Sequence, residues 1–586
     1  MNVLIPLVLV LAAFGLAVRY YGRTMNRVFG VDLQRPTPAI AQADGIDYCA
    51  TRSHIVFGHH FATIAGAGPI VGPVIALAYG WLPALLWIVI GSIFIGAVHD
   101  MSALFVSVRE RGHSIADIAR RALGNTGYAL FVMFSLCLLI LVAAVFLELT
   151  AKALTSTEAL ETLGLAADQT LLKTTTVKGE VHGVLGGIAS TSVIVITCIA
   201  PILGLLYHRA KIHASLAYAI AAATCVVSVL IGFLFPLRMD PEHWKIALSI
   251  YTLIAAGLPV WILLQPRDFT NVQLLYIGLI VILAALLVGG VAGTAKLTEI
   301  QPTALGAGAK ALGPVWPMMF ITIACGAISG FHCFVASGTS SKQLATERDI
   351  RTVGYGGMIL EGLLAVGVVL ALATSLPAAK YTSVVWPGGA RGNPVLGFAL
   401  GVGGLLGGSF GLKMALGTVI GLLLVEGFLA TTLDSCIRLT RYMFEELWSI
   451  VFGAATPRVL RWYWFNSGLA VVLMFLLAYF GTWKAIWPLF GASNQLLASL
   501  GLITVSVWLV QRGRSWVYTL LPTAFMGATA IGALVWMIRV KEQLLIRGGA
   551  AVLLALAAGV ALMALRVVLR REATVQTPET PASSGE

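Results

Sequence analysis

The chain has 586 residues, of which 58% are hydrophobic and 11% are charged, and its mean hydropathy is +0.91. Soluble globular domains carry about 25% charged residues, so this composition excludes a chain of ordinary soluble domains. The formal net charge is +12, but the basic residues lie in short clusters between apolar stretches. Charges that set membrane topology are arranged in this way, which argues against a nucleic-acid partner.

Apolar stretches recur along the whole chain, each near the 20 residues or so that a membrane helix needs. They predict an all-α, polytopic membrane bundle of about fifteen spans, with the lipid bilayer as its surroundings. The predicted spans are residues 2–18, 57–79, 81–108, 127–150, 186–207, 214–235, 246–265, 272–293, 315–338, 352–376, 414–447, 463–481, 487–511, 517–538 and 548–569.

The first stretch lies within an extra N-terminal membrane helix over residues 1–20. No basic residue precedes its apolar part, whereas Arg19 and Arg23 follow it. A cleaved signal peptide has the opposite arrangement, so we expect a retained helix with its N-terminus outside.

The positions of Lys and Arg predict the orientation of the remaining spans. Most of the 38 basic residues fall on the cytoplasmic side if the glycine-rich stretch 394–412 does not cross the membrane. We therefore expect that stretch to be re-entrant or external. The C-terminus is then cytoplasmic, and the tail over residues 572–586 is expected to be disordered.

The segment GHHFATIAGAGPIVGP (58–73) predicts a broken membrane helix. It holds four glycines and two prolines, and irregular backbone persists in a membrane only where it lines a cavity or is buried in protein. Free peptide groups at the end of a half-helix suit a carboxylate. The alternative is a kinked packing helix. The candidate substrate-binding residues are His59, His60, Gly66, Ala67, Gly68 and Pro69.

A second helix-breaking unit reads IAAGLP (254–259) and echoes IAGAGP (64–69). The two units lie five spans apart, so their membrane directions are opposite. This pattern predicts an inverted repeat with the substrate between two interrupted helices. Gly257 and Pro259 join the candidate substrate-binding residues.

The segment ISGFHCFVASGTSSK (328–342) is rich in hydroxyl groups near a predicted helix end. Such side chains often only hydrogen-bond within membrane helices, but their density here favours a cation or substrate contact. The candidate residues are Ser329, Ser337, Thr339, Ser340 and Ser341, with His332 as a further substrate contact.

Ionisable residues inside membrane helices usually face a cavity or a partner, because an isolated charge there is costly. Asp100 and Asp434 are the candidates for cation or proton coupling. Arg438 lies four residues after Asp434, the spacing of a helix ion pair, so a structural clamp is an equal alternative for Asp434. The other such residues are His99, Glu148, Glu361 and Glu426.

If protons drive transport, His60 and His332 are the leading carriers, since histidine titrates near physiological pH, and Asp100 follows. The seven cysteines are scattered without a C-x-x-C pair, so neither a metal site nor a disulfide framework is indicated. No phosphate-binding G-x-x-x-x-G-K-[ST] motif and no hydrolytic or redox constellation is present. We therefore expect a protein that is not an enzyme and needs no cofactor beyond a coupling ion, H⁺ or Na⁺.

The sequence resembles the carbon starvation protein A family at GHHFATIAGAGPIVGP, LPVWILLQPRDF (258–269), ISGFHCFVASGTSSK, TTLDSCIR (431–438) and WPLFGASNQ (487–495). The resemblance covers most of the chain. It implies a bacterial inner-membrane transporter of peptides or pyruvate that serves carbon starvation, in some members as a pyruvate–proton symporter.

The resemblance also implies kinship with the amino acid–polyamine–organocation superfamily and its five-plus-five inverted repeat. On that mapping the transport core covers 55–447, with repeat 1 at 55–236 and repeat 2 at 246–447, followed by accessory helices at 463–570. Repeat helices 1, 6 and 8 would be 57–79, 246–265 and 315–338. In relatives that use sodium, helices 1 and 8 share a cation site, which here would join the Ala65 and Gly68 carbonyls to Ser337 and Thr339.

Together these patterns predict an ion-coupled importer of a small, carboxylate-bearing nutrient. A membrane-embedded sensor of the same solute and a channel are the alternatives. The lack of a sizeable soluble output domain argues against the sensor, and conductance without accumulation would identify the channel. The choice of pyruvate or peptide, the coupling ion and the oligomeric state stay open.

Overall fold

The computed structural model describes residues 1–44, 48–208, 213–259, 262–387, 392–481 and 483–572. Its long helices are α1 (Leu4–Phe29), α4 (Trp81–Arg109), α5 (Ile115–Leu154), α6 (Gly186–Leu206), α7 (Ser215–Leu234), α9 (Leu264–Val291), α13 (Arg351–Ser375), α16 (Met414–Phe452), α17 (Tyr463–Phe480), α18 (Lys484–Gln511), α19 (Val517–Val540) and α20 (Leu544–Met563). The described residues end at Glu572, so the predicted disordered tail lies outside them after that residue.

Shorter helices complete the bundle. They are α2 (Ser53–Ile64), α3 (Gly68–Tyr79), α8 (Pro241–Gly257), α10 (Leu305–Leu312), α11 (the turns Val315–Met319 and Phe320–Thr322), α12 (Phe331–Gly338), α14 (Ala378–Val385) and α15 (Pro394–Phe410). Helix α5 bends at Gly124, whose φ of +80° is a conformation that glycine adopts without a side-chain clash.

Twelve helices in the described part of the chain are long and apolar enough to cross a membrane, and the bent pair α2–α3 makes a thirteenth. The all-α membrane bundle is therefore confirmed, while the count of fifteen spans stays a prediction. The difference comes from two predicted spans, 246–265 and 315–338, which are interrupted. Helix α8 ends at Gly257 before α9 begins, and residues 323–330 separate α11 from α12.

The glycine-rich stretch 394–412 forms α15, a helix of 17 residues, shorter than the candidate spans. Helix α15 packs closely against α16 in a hairpin. A Cβ atom on Gly421 would lie 2.8 Å from the Ala399 Cα, and one on Gly417 would lie 2.8 Å from the Gly403 Cα. The glycines thus allow two backbones to approach, as small residues do in membrane helix pairs.

Between α5 and α6 the chain forms a small antiparallel sheet, which the all-α prediction did not include. Its strands are β1 (Thr157–Ala159), β2 (Thr174–Val177) and β3 (Glu180–Val184), in the order β1-β3-β2. Three to five residues are too few for a clear alternating pattern. The Lys380 Nζ atom, on α14, lies 2.7 Å from the Glu158 Oε1 atom and ties the sheet to the helices.

Connections predicted to share a side of the membrane contact one another. On the predicted cytoplasmic side, the Cys49 N–H donates to the Lys342 carbonyl, and Arg109 Nε lies 2.8 Å from Glu347 Oε1. On the predicted outer side, the Trp81 N–H donates to the Gln301 carbonyl. The protein is a multi-pass membrane protein, and the sidedness of its termini stays a prediction.

Candidate functional site

Two interrupted helices meet in the core. The first interruption, residues 65–67, joins α2 to α3 at a bend of 46°. A Cβ atom on Gly68 would lie 2.5 Å from the Cys325 Cβ atom, and one on Gly72 would lie 2.7 Å from the Thr322 carbonyl oxygen. Glycine at both positions thus allows the first interruption to lie directly against the second, residues 323–330.

Asn494 of α18 holds the second interruption in place. Its Oδ1 atom accepts a hydrogen bond from the Phe331 N–H at 3.1 Å, and its Nδ2 atom donates to the Ser329 hydroxyl at 3.1 Å. The Asn494 carbonyl also accepts from the Gly330 N–H. These bonds satisfy backbone groups that the missing helical turn leaves free, which explains irregular backbone inside the membrane bundle.

The third interruption is the break between the end of α8 at Gly257 and the start of α9 at Leu264. An arginine side chain binds the end of α8. Arg438 Nη2 donates to the carbonyl oxygens of Ala255 at 2.9 Å and Leu258 at 2.6 Å. A cation at the C-terminal end of a helix is favourable because that end carries partial negative charge. Arg438 therefore binds the end of α8, and the partner of Asp434 is Arg267, not the Arg438 suggested by the helix spacing.

A buried histidine–carboxylate cluster lies beside the first two interruptions. His99 Nδ1 and His332 Nδ1 donate to the two oxygens of Asp100 at 2.7 and 2.8 Å. His332 Nε2 lies 3.3 Å from Glu361 Oε2 without a hydrogen bond, and the ring also interacts with the backbone of Ile64, the last residue of α2. All four ionisable side chains are at most 1% exposed. The cluster therefore joins α4, α12 and α13 to the first interruption.

His60 extends this region along α2. Its Nδ1 atom is hydrogen-bonded to the Ser340 hydroxyl at 2.8 Å, and both side chains are buried. The ring lies close to α13, since a Cβ atom on Gly357 would be 3.0 Å from its Cδ2 atom. Among the described residues, the Nε2 atoms of His59 and His60 have no hydrogen-bond partner. Both imidazoles thus keep a free nitrogen inside the protein.

Four of the five hydroxyls of the hydroxyl-rich segment lie at the C-terminal end of α12, and the fifth, Ser329, lies before the helix. Ser329 precedes the helix and contacts Asn494. Ser337 donates to the Cys333 carbonyl at 2.6 Å and accepts from the Ile115 N–H, while the exposed Thr339 donates to the Val335 carbonyl. These two hydroxyls are thus engaged in local hydrogen bonds, and their predicted sodium site with Ala65 and Gly68 stays a prediction.

The other predicted substrate residues lie at the interruptions. Gly66 faces α16, because a Cβ atom there would lie 2.8 Å from Thr432 Oγ1. Ala65, Ala67 and Pro69 are buried around the same bend. Gly257 ends α8, and Pro259 is exposed in the third interruption. The first and third interruptions thus lie against the same helix, α16, through Thr432 and Arg438.

Sequence reasoning missed the role of Arg267. This residue lies in the first turn of α9 and is 1% exposed, with Nη1 2.5 Å from Asp434 Oδ2. Tyr251 of α8 donates to the same carboxylate oxygen at 2.8 Å and accepts a short hydrogen bond from Arg267. The motif LPVWILLQPRDF could have indicated this role, because its arginine directly follows apolar sequence. Charged residues inside membrane segments often mark functional sites.

The His332 imidazole lies between two buried carboxyl groups, those of Asp100 and Glu361. Asp100 is hydrogen-bonded to His332 Nδ1, and Glu361 Oε2 lies 3.3 Å from His332 Nε2 without a hydrogen bond, so both carboxyl groups are close enough to the ring to influence its protonation. In the described part of the chain, no group of three or more His, Cys, Asp or Glu side chains has the arrangement of a metal site. The geometry thus suits proton transfer.

Two solved structures align with most of this chain at low sequence identity. A variant of the Eremococcus coleocola manganese transporter is 11% identical, covers 88% of this chain and 94% of its own, and has a TM-score of 0.41. MhsT in complex with L-phenylalanine is 13% identical, with 89% and 98% of the two chains covered and a TM-score of 0.42.

Three characterised relatives are named as transporters, in line with the expectation of a protein that is not an enzyme. The peptide transporter CstA of Bacillus subtilis is 32% identical over 92% of this chain and 91% of its own length. The peptide transporter CstA of Escherichia coli is 30% identical, and the pyruvate/proton symporter BtsT of the same organism is 28% identical, each over 87% of this chain and 78% of its own.

The family model described as carbon starvation protein CstA matches residues 2–392 and 388–533. These matches include the two interruptions in contact, the histidine–carboxylate cluster and Asn494. The chain therefore belongs to the carbon starvation protein CstA family.

Proposed function

We propose that this protein is an ion-coupled importer of a small, carboxylate-bearing nutrient, pyruvate or a short peptide, across the bacterial inner membrane. One observation carries the proposal: two interrupted helices touch at Gly68 and Cys325, with a buried histidine–carboxylate cluster beside them. Interrupted helices at a shared site provide free backbone groups for a solute and hinges for alternating access.

The substrate classes follow from the names of the relatives, which are peptide transporters and a pyruvate/proton symporter. A carboxylate is common to both classes. The backbone of Gly66, Ala67 and Gly68, with His59 and His60, would contact polar groups of the substrate from one side. Gly257 and Pro259 would contact it from the third interruption, and α3 directs its N-terminal end toward the first interruption.

Proton coupling is favoured over sodium coupling. The cluster has a carboxyl group near each ring nitrogen of His332: Asp100 at 2.8 Å from Nδ1 and Glu361 at 3.3 Å from Nε2. A symporter named for protons among the relatives supports the same ion. The proposed carriers are His332, Asp100 and Glu361, with His60 as a further candidate. A sodium site at Ala65, Gly68, Ser337, Thr339 and Ser340 is the alternative.

The proposed core covers residues 55–447 as a five-plus-five inverted repeat, with 463–570 as accessory helices. The proposed orientation places the N-terminus outside and the C-terminus in the cytoplasm. The contact of Gly68 and Gly72 with 322–325 supports a site shared by the first broken helix and 315–338, as the mapping of helices 1 and 8 implies.

Transport assays test the proposed function. Purified protein in proteoliposomes should accumulate labelled pyruvate or a labelled dipeptide when an inward proton gradient is imposed, and empty liposomes should not. An imposed sodium gradient alone should have no effect. Conductance without accumulation would indicate a channel, and binding without uptake would indicate a sensor.

A further inference from the structure

Arg267 presents unused hydrogen-bond donors inside the protein. Its Nη1 atom is bonded to Asp434 and Tyr251. Among the described residues, its Nε and Nη2 atoms have no hydrogen-bond partner, and Nη2 lies 3.8 Å from Asp268 Oδ1. Nε and Nη2 form the edge of the guanidinium group that binds a carboxylate through two parallel hydrogen bonds. A buried arginine with this edge free is prepared for an anionic ligand.

The surroundings of Arg267 hold more carboxyl groups than its one positive charge can balance. Asp434 and Asp268 lie next to it, and Glu426 interacts with it electrostatically. Both Glu426 oxygens are buried and lack a hydrogen-bond partner among the described residues. Uncompensated charge in a low-dielectric interior is costly, so this cluster must take up protons before it accepts another anion.

We propose that Arg267 binds the carboxylate of the transported substrate through Nε and Nη2, and that protonation of Asp434 allows this binding. This inference rests on the proposed function and assigns the carboxylate to Arg267, in the first turn of α9. The backbone at 65–67 then contacts other polar groups of the substrate.

The binding step conserves charge. One proton binds to an Asp434 carboxylate oxygen, which weakens its ion pair with Arg267. One substrate carboxylate then forms the new ion pair, so a proton and an anion enter the membrane interior together. The carboxylate of Glu426 accepts a proton by the same reasoning if a second one is needed.

Several charged or titratable groups face Asp434 and determine how readily it takes up a proton. They come from each of the elements that carry such groups toward it: Tyr251 of α8, Arg267 and Asp268 of α9, and Cys436 and Arg438 of α16. Glu426 of α16 interacts with Arg267. Arg438 is held by the carbonyls at the end of α8. Arg267 is therefore the cation that a substrate carboxylate can share with Asp434.

Neutral analogues test the assignment in the unmodified protein. Pyruvate and dialanine are compared with pyruvamide and dialanine amide as inhibitors of labelled uptake into proteoliposomes. We expect each carboxylate to compete at least tenfold better than its amide, because a site built for an ionic partner leaves Arg267 unpaired when the amide binds. Equal competition by the acid and the amide would overturn the inference.

Variants test the residue. The double variant Arg267→Gln/Asp434→Asn removes both charges together, since a single change leaves a lone buried charge that endangers folding. It should bind the acid and the amide with similar affinity, while Arg267→Lys should keep a reduced preference. Retention of the full preference in the double variant would show that the carboxylate binds elsewhere. Monodisperse purification in detergent serves as the folding control.

The proposed protonation of Asp434 is tested separately, by the pH dependence of substrate binding. Binding of pyruvate to wild-type protein in detergent should strengthen as pH falls, by up to about tenfold per pH unit for one proton. Asp434→Asn, whose amide cannot take up the proton, should bind with little dependence on pH. An unchanged pH dependence in Asp434→Asn would overturn the gating role. Wild-type liposomes that take up neither substrate would instead contradict the proposed function itself.

Discussion

At the residue scale, His332 is the side chain that connects most of the candidate site. One nitrogen of its ring pairs with Asp100 of α4 and the other faces Glu361 of α13 and the end of α2. A proton on this ring therefore affects three helices at once. Such a group is suited to couple protonation to a rearrangement of the interrupted helices.

Replacement of His332 by glutamine should separate transport from its driving force. A gradient of one pH unit supplies about 1.36 kcal/mol per proton, so wild-type protein should accumulate substrate about tenfold when one proton is coupled. His332→Gln, which cannot titrate, should still exchange substrate but accumulate less of it than wild type in response to the gradient. Labelled uptake and counterflow in proteoliposomes measure the two activities.

The sodium alternative predicts a different pattern. Ser337→Ala and Thr339→Ala should then raise the sodium concentration needed for half-maximal uptake, because hydroxyl oxygens are ligands for a hard cation. Under proton coupling, neither change should alter the dependence on the proton gradient. Gradient dependence that is unchanged in His332→Gln would exclude this histidine as the carrier.

Gly68 should tolerate no side chain. A Cβ atom at this position would lie 2.5 Å from the Cys325 Cβ atom, so Gly68→Leu must separate the first two interruptions. We expect loss of uptake with normal insertion into the membrane. Gly468→Leu is a matched control, since no atom lies within 4 Å of a Cβ atom at that helical position. Normal transport by Gly68→Leu would remove this segment from the site.

At the element scale, the interruptions persist because other helices satisfy their backbone. The segment 323–330 depends on Asn494 of α18, and the end of α8 depends on Arg438 of α16. Asn494 of the WPLFGASNQ motif thus stabilises an interruption that lies much earlier in the chain. Asn494 lies where the Phe331 and Gly330 N–H groups would otherwise face the bundle interior without a partner.

Removal of the Asn494 side chain should destabilise the second interruption. Asn494→Ala leaves the Phe331 N–H and the Ser329 hydroxyl without this partner, and loss of buried partners costs about 1–3 kcal/mol. We expect a lower melting temperature in detergent and reduced uptake. Ser493→Ala is the control, because among the described residues that hydroxyl bonds only within its own helix, to the Phe490 carbonyl. Equal melting of the two variants would contradict the role of Asn494.

At the scale of the whole molecule, the contacts sort the connections into two sets. The sheet β1-β3-β2 and α14 belong to one set, and the connection after α12 belongs to the other. Basic residues predict that the first set is outside and the second is cytoplasmic. The sheet then forms part of an external cap over the bundle.

Labelling should confirm this sidedness. Thr176→Cys, in the exposed strand β2, should react in intact cells with a maleimide that cannot cross the membrane. Arg348→Cys, on the opposite side, should react only after permeabilisation, and a C-terminal reporter should be cytoplasmic. Signals are compared with the wild-type protein and its own cysteines. The reverse pattern would invert the proposed topology.

The sequence by itself determined that this protein is a helical membrane protein, since only lipid accommodates so many long apolar stretches. It also located the irregular backbone at 64–69 and the end of α8 near Gly257. Both follow from local rules, because glycine and proline interrupt helices wherever they stand. Family membership came from motifs of the same local kind.

Only the tertiary structure decided which groups meet. Asp434 pairs with Arg267 and not with the Arg438 one turn away, and the first interruption touches 322–325. The His332 pairs with Asp100 and Glu361 join residues that lie far apart in the sequence. Helical spacing predicts which side chains are neighbours on one helix. A buried charge, however, is neutralised by a partner on whichever helix packs against it. Partners across the bundle are therefore a property of the packing.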